Sequence, residues 1–377
     1  SSAASDVYKR QDAYIVNVET DVGFGLPTFD MSGALGSKVR EAKDRVRVAI
    51  KNSGIELTPQ KIVINISPAN IRKEGTIYDL PIAIGILAAN GCFDLKILEN
   101  VLIIGEVSLD GSINPVKGVL PMVCAAKEAG IDNCIIPKAN IAEGRIMNNI
   151  NIYGVETLSQ TIEILKNIAV IDGSRKNIKQ ADVKSGECNK SDGNINNDTY
   201  NVLERSRVKF TYGSEVKNNN HSCSYNIDYS DISGQEAAKR ATMIAVSGMH
   251  NIMYIGPPGS GKTMLAQRIP TIMPDMDYEE QLRLTKIYSV AGLLDSEGGI
   301  MVKRPFRNPH HTITQAALLG GGAVPRPGDI TLSEGGVLFL DEMTEFNQVI
   351  MEALRQPLED KVITCLLYTS PSPRDCS

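Results

Sequence analysis

The stretch Gly256-Pro257-Pro258-Gly259-Ser260-Gly261-Lys262-Thr263 decides how this chain is read. It meets G-x-x-x-x-G-K-[ST] at every fixed position, and a chance match in a chain this long has a frequency on the order of 1%. The pattern answers a physical demand. Its glycines let backbone N–H groups curl around phosphate oxygens, and a following helix start adds a positive dipole end. Lys262 is then placed to reach the β and γ phosphates, and Thr263 to offer its hydroxyl oxygen to Mg²⁺. Asn251 to Ile255 reads as the strand that precedes such a loop. Leu265, Ala266 and Ile269 mark the helix that follows it. The alternative is a glycine-rich turn carrying an exposed lysine.

A second signal lies downstream. Val337-Leu338-Phe339-Leu340-Asp341-Glu342 is an apolar strand ending in two carboxylates. Beside the phosphate-loop strand it would deliver Asp341 to the Mg²⁺ shell, with Glu342 polarising the attacking water as general base. Upstream, Asp231 to Glu236 opens a helix. Ser233 caps it there with Glu236, or Ile232 and Gln235 face the adenine base. In Arg304-Pro-Phe-Arg-Asn-Pro-His-His311, the adjacent His310 and His311 have no Cys or carboxylate at ligand spacing. That segment reads instead as a loop for substrate or a neighbouring subunit, with Arg304 and Arg307 as its charge. Gly320 to Gly322 and Pro325 to Gly328 form a turned loop before the Asp341 strand.

The rest of the chain sets bounds. Its 377 residues, 42% hydrophobic and 22% charged, suffice for two modest cores and exclude a disordered or collagen-like chain. Aromatics are 5% and Trp is absent, so stacking platforms for single-stranded nucleic acid are sparse. The net charge is -5, from 39 Lys+Arg against 44 Asp+Glu, so any nucleic-acid contact must come from a local patch. Cys92, Cys124, Cys134, Cys188, Cys223, Cys365 and Cys376 contain no Cys-x-x-Cys pair and read as reduced thiols, several buried. The longest apolar runs, such as Leu80 to Ala89, are too short to span a bilayer, and no signal peptide is visible. A cytoplasmic protein with no membrane partner is expected.

Ala13 to Ile168 alternates strands and helices. Strands are expected at Ala13 to Glu19, Lys61 to Ile66, Val101 to Ile104 and Cys134 to Ile136. Helices are expected at Ser37 to Ser53, Pro81 to Ala89, Val119 to Ala129 and Leu158 to Ile168. Asp172 to Ser230 is Asn-rich and poor in apolar residues, as a linker or surface insertion is. From Asp231 the α/β pattern returns, with helices over Gln235 to Ser247 and Asn347 to Leu354. Ser1 to Gln11 and Cys365 to Ser377 resemble translated adapter sequence, and no start Met is present, so the chain reads as a fragment.

Asp231-Ile-Ser-Gly-Gln-Glu-Ala-Ala-Lys-Arg, Gly256 to Thr263, Arg304 to His311, Pro325-Arg-Pro-Gly, Gly336-Val-Leu-Phe-Leu-Asp-Glu and Leu354-Arg-Gln-Pro-Leu-Glu359 resemble one family. It is the magnesium-chelatase-like AAA+ ATPases of the YifB/ComM type. Ala13 to Ile168 resembles that family's N-terminal domain, which has the Lon-protease (ribosomal S5-like) α+β fold. The resemblance implies an α/β chain in five parts. These are a non-native 1–11, a Lon-like 12–171, a linker 172–230, an AAA+ core with parallel sheet at 231–364 lacking its lid, and a non-native 365–377. It implies ATP and Mg²⁺ as cofactors and a homo-hexamer, in which the sensor, arginine-finger and lid elements follow this region. Arg355 is not assigned to the finger role.

The Lon-like half departs from the protease pattern, which uses a Ser nucleophile and a Lys base. The Ser loop aligns with Lys73 to Ala83, where Asp79 and Leu80 stand near the Ser position. The Lys helix aligns with Gly118 to Ala125, with Leu120 at the Lys position. A scaffold, not a protease, is expected. Three functions stay open. The first is an ATP-driven motor remodelling single-stranded or branched DNA in competence and recombination, for which Arg304, Arg307, Arg326, Arg72 and Lys73 are the few candidate contacts. The second is a chelatase-like subunit coupling ATP to Mg²⁺ insertion into a porphyrin. The third is a nucleotide-gated, protein-remodelling scaffold.

Overall fold

Strand β1 (Asn17–Gly23), β2 (Phe29–Ser32) and β3 (Lys61–Ser67) form a sheet with β3 in the middle. The computed structural model describes residues 13–93, 95–168, 227–294, 299–321 and 326–360. The adapter-like ends, and Asp172 to Asn226 of the Asn-rich stretch, lie outside the described residues. β1 runs antiparallel to β3, Thr20 opposite Ile64, and β2 runs parallel to it. The period-2 pattern of β3 turns Ile62, Ile64 and Ile66 inward. β1 begins at Asn17, later than the expected Ala13, because its partner ladder ends there. Asn17 faces Ser67, and the next residue, Pro68, has no N–H to extend the pairing.

The expected helix over Ser37 to Ser53 breaks at Glu41 into a short Ser37–Arg40 helix and α1 (Ala42–Asn52). α1 buries Val46, Ala49 and Ile50. α2 (Asp79–Ala89) is apolar nearly all round, with Leu80, Ile82, Ile84, Ile86 and Leu87 buried, so it runs through the centre of the first core. Each such side chain contributes about 1.5–3 kcal/mol by leaving water.

A second sheet holds β4 (Val101–Ile103), β5 (Asn133–Pro137) and β6 (Asn151–Val155), all parallel. Helix α3 (Val119–Glu128) precedes β5 and packs Val119, Val123 and Ala126 against Cys134, Ile136 and Ile152. A helix over 158–168, α4, returns Leu158 and Leu165 to the first core. β2 alternates Phe29 and Met31 with Asp30 and Ser32 but over only four residues, and β6 has no period-2 apolar pattern; neither is among the expected strands.

The second half contains α5 (Glu236–Ser247), α6 (Lys262–Gln267) and α7 (Tyr278–Ala291). β7 (Phe306–Arg307), β8 (Val337–Leu338) and α8 (Gln348–Asp360) follow. Two expectations are corrected here. Asn251 to Ile255 is not a strand: among the described residues no strand pairs with it, and Met253 and Ile255 are exposed. The strand expected over Val337 to Leu340 is only β8, and its parallel partner is β7, Val337 opposite Phe306. Prolines bound that ladder, Pro305 before β7 and Pro309 after it. α7 was not read from the sequence. Its signal is the capping box Asp277-x-x-Glu280, in which the Asp277 carboxylate accepts from the Glu280 N–H at 2.7 Å.

The residues on either side of the Asn-rich stretch belong to one compact unit. The Gly118 N–H donates to the Ser289 carbonyl at 3.1 Å. Buried Glu143 accepts from the Leu120 N–H at 2.8 Å and from the Ser289 hydroxyl. The whole is a mixed α/β fold with parallel strands in both halves. No helix of the described residues is long and apolar enough to cross a membrane.

Candidate functional site

The loop at Gly256 to Thr263 is shaped by two glycines in the left-handed region, Gly259 (φ +79°) and Gly261 (φ +83°). A Cβ at Gly259 would meet nothing within 4 Å, so that glycine serves the backbone path and leaves open space above the loop. Helix α6 begins at Lys262, directly after Gly261. The Lys262 ammonium folds back over its own loop, donating to the carbonyls of Gly256 (3.0 Å) and Pro257 (2.9 Å). Ser260 fills the loop beside Gly256, where a Cβ would sit 3.0 Å from its hydroxyl.

Thr263 and Asp341 are 78 positions apart in sequence and in contact in space. The Thr263 hydroxyl donates to Asp341 Oδ2 at 3.2 Å. The other carboxylate oxygen of Asp341 accepts the Glu342 N–H at 3.1 Å. Glu342 itself stands in the left-handed region (φ +52°) with its side chain exposed. Asp341 thus reaches the loop without a strand at Asn251 to Ile255 between them. Leu265 of α6 is buried in a small cluster with Ile232 and Tyr229, and the Gln235 amide donates to the Ser260 carbonyl at 3.4 Å. Ile232 and Gln235 therefore lie against the loop and its helix. Ser233 does not cap α5. The N-cap is Gln235, in the left-handed region (φ +58°) with no side-chain cap, and the capping box instead joins Asp228 to Asp231. The Thr263 hydroxyl and the Asp341 carboxylate are hard oxygen donors, the kind that suits Mg²⁺ with water and phosphate as further ligands.

The arginines expected to face a substrate are engaged internally. Arg304 is buried, donating to Pro274 O at 2.7 Å, to Gly335 O, and to Glu280 Oε2 at 3.3 Å. Arg307 donates to Asp329 Oδ1 through Nε at 2.8 Å and through Nη2. Lys73 is fully buried with its ammonium on the Pro68 carbonyl. Arg72 is exposed and paired with Glu74 at 2.6 Å, and Arg326 is exposed. Both corrections of Arg304 and Lys73 have one cause: a long cationic side chain on a segment pinned beside carbonyl oxygens turns inward when those oxygens lack other donors. The His310 and His311 rings lie 4.0 Å apart, and His310 Nδ1 hydrogen-bonds the Thr312 hydroxyl at 2.9 Å.

In the first half, the positions aligned with a Ser–Lys dyad hold other chemistry. Leu80 and Leu120 are fully buried. Asp79 is buried too and accepts from Arg45 Nε (2.8 Å) and Nη2 (2.9 Å). Burial raises its carboxyl above the ordinary range, against the lowering effect of Arg45. Cys124 and Cys134 are buried free thiols, Cys134 pushed up to about 12 by desolvation.

Residues 228–369 match the family model described as magnesium chelatase, subunit ChlI, and residues 18–140 match that of subunit ChlI of Mg-chelatase. Competence protein ComM of Haemophilus influenzae is 36% identical over 359 residues, 94% of this chain and 63% of that protein. The uncharacterized protein YifB of Escherichia coli is 37% identical over 344 residues, 91% of this chain and 60% of that protein. The archaeal Lon protease of Thermococcus kodakarensis is 31% identical over 151 residues, 39% of this chain and 23% of that protein. This chain spans less than two thirds of the length of ComM and YifB. The likeness to those two runs through both halves, and the chain belongs to the magnesium-chelatase-like AAA+ ATPase family of the YifB/ComM type.

Proposed function

We propose that the chain carries the ATP-binding and ATP-hydrolysing core of a hexameric cytoplasmic motor that remodels single-stranded or branched DNA. The observation that carries this reading is the 3.2 Å contact between Thr263 and Asp341, beside the open loop of Gly259 and Gly261. When bound, Mg²⁺ would screen phosphate charge and ATP would supply the hydrolysable γ-phosphoryl group. The chain's own residues do the rest. Lys262 exchanges its loop carbonyls for phosphate oxygens. Thr263 and Asp341 hold the cation through oxygen. Glu342, exposed at the end of the same segment, takes the proton of the attacking water. Ile232 and Gln235, against the loop, orient the base.

The Lon-like half serves in this reading as a scaffold. Buried Leu80 and Leu120 offer neither nucleophile nor base, so peptide hydrolysis has no starting group there. DNA as the substrate rests on kinship with a protein named for competence. The test is ATP turnover by the full natural protein, with and without forked and single-stranded DNA. Stimulation by DNA is expected. Unstimulated turnover would keep the ATPase and move the substrate to a porphyrin-pathway or protein partner. No turnover would overturn the reading.

A further inference from the structure

We infer that Arg304 is a positioning residue for the Asp341–Glu342 pair, setting the distance between Asp341 and Thr263 through the register of β8 against β7; this rests on the nucleotide-site reading above. Arg304 is only 7% exposed, and its guanidinium ties together three segments. Nε holds the Pro274 carbonyl at 2.7 Å, just before α7. Nη2 meets Glu280 Oε2 at 3.3 Å, in the first turn of α7. Nη1 holds the carbonyl of Gly335, two residues before β8.

The backbone continues from that anchor. Gly335 is in the left-handed region (φ +67°), and a Cβ on Gly336 would fall 2.1 Å from the Pro305 carbonyl, so only glycine allows this approach. The Val337 N–H then donates to Pro305 O at 2.9 Å and the Phe339 N–H to Arg307 O at 2.8 Å. Asp341 follows two residues later, at its 3.2 Å contact with Thr263. A slip in this zipper moves both carboxylates relative to the loop. The fork of a guanidinium can serve three acceptors in different directions, whereas an ammonium is a single point of charge. A buried cation is costly unless well paired. Here the pairing fixes the segment that ends in the candidate metal ligand and general base.

The experiment compares the full chain with Arg304→Lys and Glu280→Gln. It titrates a fluorescent ATP analogue without Mg²⁺, then Mg²⁺ at fixed nucleotide, with Mn²⁺ electron paramagnetic resonance on the same samples. Thermal unfolding establishes the temperature at which each variant is folded. Arg304→Lys is expected to leave metal-free nucleotide affinity within about twofold. Its half-saturating Mg²⁺ should rise about tenfold, with an altered Mn²⁺ spectrum, as outer-shell changes do at metal sites. Glu280→Gln, which keeps the side-chain shape, is expected to move Mg²⁺ dependence the same way by a smaller factor. It covers the case of an Arg304 variant that does not fold. A merely structural arginine would lower the unfolding temperature and leave the Mg²⁺ titration unchanged in both variants, and that result overturns the inference alone. If the unsubstituted chain binds nucleotide with no Mg²⁺ dependence, the nucleotide-site reading falls and takes this inference with it.

Discussion

The buried charges of the first half and the candidate-site charges of the second meet different fates. In residues 13–168, Asp79 lies against Arg45, Lys73 against the Pro68 carbonyl and Glu143 against the Leu120 N–H, each buried acceptor or donor matched inside the protein. These pairs sit in or beside a large core that surrounds α2. In residues 227–360 the apolar residues divide into three small clusters. Lys262, Thr263, Asp341 and Glu342 stand between them on loops and helix starts, none fully buried. Internal matching removes a polar group from chemistry, because a ligand would have to replace a partner already in place. Lys262 is also matched, but only by the carbonyls of an accessible loop, which a phosphate can displace. The comparison supports the proposed reading, in which the chemistry falls in the second half and the first half is a scaffold.

The sharpest test is Glu342→Gln in the full-length natural protein. Turnover should fall by about 10²–10⁴-fold, with ATP binding retained, since one general base is removed and no binding contact is lost. Normal turnover would break the proposed role. Lys262→Ala is expected to weaken nucleotide binding by roughly 100-fold or more in calorimetry, from the loss of charge-assisted contacts to phosphate. The first half should melt unchanged in that variant.

Next comes Arg45→Met, which leaves Asp79 buried without its cation. A loss of about 3 kcal/mol in denaturant unfolding is expected, at the low end for a buried pair because Arg45 is partly exposed. The sign with pH is definite. Burial raises the folded Asp79 carboxyl, so the folded variant binds its proton more readily than the unfolded chain does. Stability therefore rises as pH falls through that raised value toward the ordinary carboxylate range, where the unfolded chain is protonated too, and because loss of Arg45 removes an effect that lowers the carboxyl, the deficit shrinks in acid. Nucleotide affinity should stay as it was while the variant is folded, and a parallel loss of affinity would blur the division between the halves. The smallest effect is a blank: no peptidase activity from the chain; activity abolished by a serine-reactive probe would contradict the scaffold reading of the first half.

The loop and its partner carboxylate were legible in the sequence because each is a local pattern. Gly259 and Gly261 announce a turned backbone, and an apolar run ending at Asp341-Glu342 marks the carboxylates, although the strand itself stops at Leu338. α2 was legible because its apolar residues fill the whole circumference. The neighbours of these elements were not legible. β8 pairs with Phe306–Arg307, a two-residue strand between prolines, which propensity cannot find. The short apolar run in Asn251 to Ile255 reads as a strand, but a strand exists only through a paired neighbour. Arg304 and Lys73 read as surface charge because composition does not reveal carbonyls waiting behind a turn. α7 was missed although Asp277 and Glu280 mark its start and Leu284, Ile287 and Tyr288 recur at helical spacing.

The most direct test of the central claim is a double-mutant cycle on Thr263→Val and Asp341→Asn, read as Mg²⁺-dependent ATP binding by the full chain. If the two oxygens serve one cation, the double variant should be little worse than the worse single variant, a coupling of about 1 kcal/mol or more. Effects that simply add, or Mg²⁺ dependence that survives both changes, would contradict the account.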